Sequence, residues 1–320
     1  MKKLVMLLAL VAVMTLLAGP LALAKYPEKP ISYVIAFNPG GESDITARLQ
    51  EKALEKELGT SIVISHKPGG GGAVAWSEFQ RTAKPDGYQL IGINIPHIIG
   101  QPLQRKDAGY ETDGFAIIIW FHFTPNALIV RNESPFKTLK DFIAYAKKNP
   151  KAATVGGSGT YSANHLETLR MEKACGINVT YVPHTGTGPI VPALLGGHLT
   201  ATMNYSMIGV QYKDKMRTLA VAADERLATL PDAPTFKELG YDIVGGAYRG
   251  VAAPKGTPEP IVKRLAEAFT KVNKIVAEKQ EKLGFVMTYA TGKDALKLVD
   301  QMKKAYGDIF REIAKKPKKK

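Results

Sequence analysis

Sulfur chemistry is almost missing from this chain. One cysteine, Cys175, in 320 residues excludes an intramolecular disulfide framework and any cysteine-rich zinc or iron–sulfur site. Its setting, Lys173-Ala174-Cys175-Gly176-Ile177, is an apolar helix end, so the thiol reads as packed rather than nucleophilic. Acids are scarce too: 29 Asp and Glu face 43 Lys and Arg, a formal charge of +14 that points to anionic partners. None of the six histidines, at 66, 97, 122, 165, 184 and 198, pairs with another at i,i+3 or i,i+4, so a helical metal site has no ligands. His165 either packs on its helix or touches a ligand. No Gly-x-Ser-x-Gly elbow occurs, since Ser158 in Gly156-Gly157-Ser158-Gly159-Thr160 falls one residue short of it. A Gly-Lys-Ser/Thr phosphate loop is absent, as is a dinucleotide fingerprint with its ribose-binding acid. The acids are scattered without a defensible pair. These absences predict no enzyme, no metal and no cofactor.

What remains is a chain able to fold. At 45% hydrophobic and 22% charged it can bury a real core, and its length suggests about two domains. The one long apolar run lies at the start. Lys2 and Lys3 precede Leu4–Leu17, and Ala22-Leu23-Ala24 supplies a small-x-small cleavage site. That pattern reads as a secretory signal peptide over 1–24, too short and wrongly flanked for a spanning helix. Pro20 stands where a lipoprotein would carry its lipidated cysteine, so the exported chain, Lys25 to Lys320, has no acyl anchor and is expected in the periplasm. Subtracting Lys2 and Lys3 lowers the charge to +12, and the five lysines among the last six residues lower it to +7. A terminal lysine run reads as a solvated tail, and nothing pairs the basic surface with an element that reads nucleic acid.

Strand and helix patterns alternate through the body. The apolar run Ile31–Phe37 ends in Asn38-Pro39-Gly40-Gly41, after which Ile45, Leu49, Ala53, Leu54 and Leu58 fall at helical spacing up to Gly59. Strands follow at Ile62–Ile64 and Tyr88–Ile95 around a helix Ala73–Thr82. The grammar restarts with strands Ile117–Trp120 and Ala127–Val130, helix Leu139–Lys148, strand Ala153–Val155, helix Ser162–Ala174, strand Asn178–Val182, helix Ile190–Leu195 and strands Leu199–Asn204 and Leu219–Ala223. Helices Pro258–Lys282 and Lys293–Lys315 flank a strand at Val286–Tyr289. Two α/β units with parallel pairing are expected. The stretches Leu230–Pro234 and Ala253–Pro258 read as surface connections.

Three glycine-rich turns each follow a strand and open a helix: Pro39–Asp44, Gly157–Ser162 and Thr185–Gly188. The first N–H groups of a helix have no intrahelical acceptor and sit at the positive end of its dipole, so such ends hold carboxylate, phosphate or sulfate. Alone, Ser43 or Asp44 can be a simple cap. Three such turns split between two α/β halves point to a ligand cleft at the strands' carboxyl ends. Gly69–Gly72 reads as a close-packed structural turn.

In order along the chain, Tyr26–Ile31, Pro39–Asp44, Lys67–Gly72, Pro85–Leu90, Ala144–Lys147, Gly156–Gly159, Val182–Gly186, Leu194–Gly197, Arg217–Val221, Leu230–Thr235 and Ala253–Pro258 resemble the tripartite tricarboxylate transporter solute-binding receptors, the Bug family. The resemblance covers essentially all of the mature chain. It implies an α/β, two-lobe periplasmic binding protein fold (type II), each lobe a mostly parallel sheet flanked by helices, with residues 25–124 and 223–320 in lobe 1 and 125–222 in lobe 2. It implies ligand capture through Phe37, Gly40, Gly41, Ser43 and Asp44 in lobe 1. In lobe 2 it implies Ser158, Thr160, Ser162, Thr185, Gly186 and Thr187. Asn94, His97 and Asn204 would serve the variable end. The implied partners are a small organic anion (a di- or tricarboxylate, an amino acid or an aromatic acid) and the membrane subunits of a transporter, with a monomeric receptor and no nucleic acid. Alternatives are a ligand-sensing partner of a two-component histidine kinase and a secreted hydrolase on a related fold, which lacks a nucleophile–base pair here.

Departures from the family pattern bear on specificity. Glu42 is acidic where a small residue is usual, and must point away, pair with a base or meet a cationic group on the ligand. His184 and Thr185 replace a usual Tyr-Lys pairing, and Asn204 stands where an acid is common. Trp120–Phe123 is either a core strand edge or a wall for an aromatic ligand.

Overall fold

The computed structural model describes residues 26–105 and 107–314. The signal peptide expected over 1–24 and the lysine-rich tail lie outside them. Ile31, Tyr33 and Ile35 alternate inward along strand β1 (Ile31–Ile35), the two-residue period of a strand packed on one face. Helix α1 (Glu42–Leu58) then buries Ala47, Leu54 and Leu58 on a helical stripe. Gly59 ends it in the left-handed conformation (φ 70°), its N–H donating to the Glu55 carbonyl. Strands β2 (Ile62–His66) and β3 (Gln89–Ile95), with helix α2 (Ala73–Thr82) between them, complete a parallel trio in which β1 pairs with both.

Helix α3 (His97–Gln104) was not expected, because Gly100 and Pro102 lie inside it and both oppose helix. Ile98 and Ile99 bury into the core formed by Trp76 and Phe115, and this tertiary packing overrides the local preference.

The two segments read as separate strands at Ile117–Trp120 and Ala127–Val130 form one 17-residue strand, β4 (Phe115–Arg131). Its first part pairs antiparallel with β9 (Gly246–Pro254), the last partners being Pro125 and Gly246. Beyond Pro125 it pairs instead with β7 (Ala201–Tyr205) and β8 (Met216–Val221). Proline has no N–H to give a ladder, and it sits where β4 changes partners. Strands β5 (Thr154–Gly157) and β6 (Thr180–Pro183) extend the second sheet in parallel with β7, and β10 (Val286–Ala290) pairs with β4. The strand order is β2-β1-β3-β9-β4-β7-β5-β6, with β8 and β10 attached to β4. Parallel ladders join the trios β2-β1-β3 and β6-β5-β7, and a single parallel bridge links Val221 of β8 to Thr235. The long β4 and β9 add antiparallel ladders because they carry the chain between the two sheets.

Helices cover both faces of both sheets. Leu54 from α1 and Leu265 and Phe269 from α8 (Glu259–Glu281) pack on one face of the first sheet. Trp76 and Phe79 from α2, with Val299, Tyr306 and Phe310 from α9 (Gly292–Ala314), pack on the other. The second sheet has Phe142 from α4 (Leu139–Lys148) and Met171 from α5 (Ala163–Cys175) on one face. Ile190 and Leu194 from α6 (Ile190–Leu195) and Ile208 from α7 (Ser206–Gln211) cover the other. Full burial of such side chains contributes roughly 1.5–3 kcal/mol each. Phe236 and Ile243 join Met171 in the second core, which places the stretch 223–245 against the second sheet although it was grouped with lobe 1 above.

The ambiguous aromatic run belongs to the interior: Trp120 and Phe121 are buried in cores on opposite faces, and His122 stacks on Phe285 at 4.3 Å. Cys175 is buried in the second core, and burial pushes its thiol up to about 11, away from reactivity. Helix α4 opens on a capping box: Thr138 accepts from the Asp141 N–H while the Asp141 carboxylate accepts from Thr138 N–H. Thr138→Ala should therefore lower unfolding free energy by about 1 kcal/mol, measurable by urea titration, since the Asp141 N–H loses its hydroxyl acceptor while the Asp141 carboxylate keeps its bond to the backbone N–H at 138.

Candidate functional site

The turn after β1 is shaped by its own acid. Asp44 accepts from the Gly40 N–H (2.9 Å) through Oδ2 and bonds His66 Nε2 (2.7 Å) through Oδ1. That work holds the turn, and Asp44 does not line the cavity. No side chain caps α1 at Gly41, and Glu42 follows with its carboxylate buried at the helix's positive end.

Glu42 is the electrostatic centre of the site. Arg249 of β9 places Nη1 2.8 Å from Glu42 Oε1, and the Thr124 hydroxyl donates to the same oxygen. Arg249 reaches this point because β9 lies between β3 and β4, with Asn94 on one side and His122 on the other. Its guanidinium stacks 4.2 Å over the ring of Tyr205, a cation–π contact strengthened by exclusion of water. Both charged side chains are almost fully buried, at 1% and 4% exposed. Burial pushes the Glu42 carboxyl up to about 6, with Arg249 and the Thr124 bond opposing that rise. Of the three fates open to Glu42, it pairs with a base.

The neighbouring histidines are neutral. Burial, reinforced by Arg249, holds His97 down at about 3 and His122 well below its usual value. Thr46 Oγ1 donates to the Glu42 carbonyl (2.9 Å) and lies 3.1 Å from His122 Nε2, while Thr124 Oγ1 lies 3.4 Å from His122 Nδ1. His97 stands one layer behind the cavity, edge-on to Phe37 and Trp76 and 3.5 Å from the Tyr205 hydroxyl.

The opposing side comes from the second sheet. Ser158 donates its hydroxyl to Asn164 Oδ1 (2.6 Å), which also accepts the Ser158 N–H. Thr187, nearly buried, bonds Asn204 Oδ1 at 3.4 Å. A narrow cavity lies between these groups, walled by Phe37, Gly41, Glu42 and Ser43 on one side and Ser158, Thr187 and Tyr205 on the other, with Asn94 and Arg249 at its floor. About 10 Å³ of it is open to the centre of a water molecule, room for roughly one water. A larger guest must part the walls.

Of the fourteen residues expected at the ligand, Phe37, Gly41, Ser43, Asn94, Ser158 and Thr187 line this cavity. Asn204 stands behind Thr187. Gly40, Thr160 and Thr185 are exposed, and Gly186 is buried against Asn38. Ser162 caps α5, accepting from the His165 N–H and donating to the Gly159 carbonyl (2.8 Å). His165 accepts from the Tyr161 N–H and packs on Tyr181, a structural part. Tyr205 and Arg249 were not anticipated. The available signal was a lone arginine before the apolar run Gly250–Ala253, in a stretch not recognised as a strand.

The two sides touch through glycines. A Cβ on Gly188 would sit 2.6 Å from the Pro39 carbonyl oxygen. A Cβ on Gly159 would sit 2.6 Å from the Gly71 Cα, so the four-glycine turn packs against the second sheet's loop. Gln101 Nε2 secures it by donating to the Gly71 carbonyl (2.8 Å). Chemically the site offers hydroxyl and amide groups, one buried guanidinium, one buried carboxylate and aromatic faces. Its serines contact no histidine, and among the described residues no three His, Cys, Asp or Glu side chains gather as a metal site. No helix among them is long and apolar enough to cross a membrane.

The chain and its fold resemble known proteins. The sequence model of the tripartite tricarboxylate transporter family receptor matches residues 46–314. The UPF0065 protein of the gbd 5′ region of Cupriavidus necator is 34% identical over 77% of this chain and 75% of its own. A solved periplasmic transporter superposes with a TM-score of 0.85 at 32% identity, over 90% of this chain and 98% of its own. MatC of Rhodopseudomonas palustris, solved with bound malate, superposes with a TM-score of 0.83 at 28% identity, over 89% and 99%.

Proposed function

The chain belongs to the tripartite tricarboxylate transporter receptor family, a family of two-lobe solute-binding proteins and not of enzymes, and from that premise we propose that it captures a small organic carboxylate between its lobes in the periplasm and delivers it to the membrane subunits of a tripartite transporter. The observation that carries this reading is Arg249, a buried cation at the floor of a cavity lined from both sheets by hydroxyl and amide groups. A guanidinium in a dry site is the side chain best suited to a carboxylate. Malate bound to MatC supports the ligand class. We place the lobe junctions near Pro125 and Gly246, where β4 and β9 part. The leader over 1–24 supplies the export this reading needs.

Lobe closure follows from the narrowness of the cavity. A ligand favours the closed form only by contacts made to both lobes at once. A panel of small di- and tricarboxylates, amino acids and aromatic acids should therefore contain at least one member that raises the melting temperature. Removing one hydroxyl from each side, Ser43→Ala with Thr187→Ala, should weaken that ligand by about tenfold or more. Unchanged affinity in titration calorimetry would move the site elsewhere.

A further inference from the structure

The polar groups of the cavity are unevenly satisfied. Glu42 Oε1 has Arg249 and Thr124, but the buried Oε2 has no hydrogen-bond partner among the described residues. Arg249 Nε has none either, and Nη1, though 2.8 Å from Glu42 Oε1, lacks hydrogen-bond alignment. Behind Thr187, the amide nitrogen Nδ2 of Asn204 is a third buried group without a partner. Buried polar atoms are costly to leave unmatched, and these fall into two kinds at one place. One is an anionic acceptor; the others are donors, one of them cationic.

A simple diacid answers only the donors. Its second carboxylate, in a cavity this narrow, would lie beside the Glu42 carboxylate, and like charges in a dry site repel strongly. The ion pair is also neutral overall, so it does not favour a multiply charged anion. A ligand with a carboxylate and an N–H⁺ answers both kinds: the carboxylate to Arg249 and the ammonium to Glu42 Oε2. We infer that the ligand of this cleft is zwitterionic, a small amino-acid-like acid whose ammonium is recognised by Glu42 and whose carboxylate is recognised by Arg249. This rests on the carboxylate-receptor reading above and narrows it. Charge complementarity here also gives discrimination, because a site built to bond an N–H leaves its acceptor bare when the analogue lacks it.

The test uses matched pairs differing only in the amino group: glutamate against glutarate, aspartate against succinate, and 2-aminoadipate against adipate, titrated calorimetrically into the full exported chain at pH 7.5. In at least one pair the amino acid should bind at least about tenfold tighter, and Glu42→Gln should bring that ratio to within about twofold by weakening the amino member. If Glu42→Gln leaves Arg249 too exposed to an apolar interior to fold, Glu42→Gln with Arg249→Gln replaces it and should lose the preference and most of the affinity together. Diacids binding as tightly as their amino partners in every pair would overturn the inference alone, as would a ratio untouched by Glu42→Gln. Binding by no member of any pair would overturn this inference, and binding by no member of the wider carboxylate panel either would overturn the carboxylate reading itself.

Discussion

Gly188→Ala should weaken ligand binding by at least about tenfold, some 1.4 kcal/mol, while the ligand-free protein melts within about 2 °C of wild type. The two effects separate for a geometric reason. Gly188 does not sit in the left-handed backbone region, so alanine meets no local strain there. Its methyl would instead press to 2.6 Å on the Pro39 carbonyl oxygen, a backbone atom that cannot swing aside. The contact lies between the turn after β1 and the turn after β6, on opposite sides of the cavity. Within either lobe nothing is disturbed; only their approach is obstructed. Ligand contacts that need both walls are then made at a distance or not at all, and the closed state loses its advantage. Calorimetry and a melting curve of the free variant check the two halves. A large drop in melting temperature without ligand would show instead that Gly188 serves the fold, and full affinity would show that these turns need not meet.

Local signals carried much of the architecture. The spans of α2, α4 and α6 agree with the helices read from the sequence over Ala73–Thr82, Leu139–Lys148 and Ile190–Leu195, because caps and apolar spacing act within a few residues. Gly59 was legible as a C-cap for the same reason. Strand β9 was not. Gly246-Ala247-Tyr248-Arg249-Gly250 has no period, since its faces are both buried and its partners lie far away in sequence on β3 and β4. Missing β9 meant missing Arg249. The acid was noticed and its base was not, so the meaning of Glu42 stayed open until the strand was placed. Hydroxyls show a second limit. Ser43, Ser158 and Ser162 look alike in their turns, yet Ser43 and Ser158 line the cavity while Ser162 is committed to a cap. Sequence places a polar residue near a site; only the tertiary contacts decide which way its bonding is spent.

Arg249→Met should destabilise the fold by about 3–5 kcal/mol at pH 7.5, the largest stability effect expected at the site, and the loss should depend on pH. Methionine fills similar space, so the cost is that of leaving Glu42 charged and buried without its cation. In the wild type the Glu42 carboxyl titrates near 6, above the 4.5 of an ordinary carboxyl, because burial outweighs Arg249 and Thr124. A raised acid binds its proton more tightly in the folded state. The stability it contributes is therefore complete below pH 4.5 and declines as pH rises through 6, by about 2 kcal/mol for this shift. Removing Arg249 removes the larger of the two opposing influences, so the carboxyl rises further and the decline extends into the neutral range. The other groups facing Glu42 do not compensate: His122, 3.9 Å away, is held neutral by burial, and Thr124 can only donate a single bond. The variant should thus be closest to wild type near pH 5 and weakest near pH 8, the opposite of ordinary acid denaturation. Adding Glu42→Gln removes the charge that has lost its partner, and the double variant should regain most of the stability with the site's pH dependence gone. Melting curves of the three proteins from pH 5 to 8 decide it. A single variant as stable as wild type at pH 8, or a double variant with the single's pH profile, would mean that the pair is not the buried, mutually dependent unit its geometry indicates.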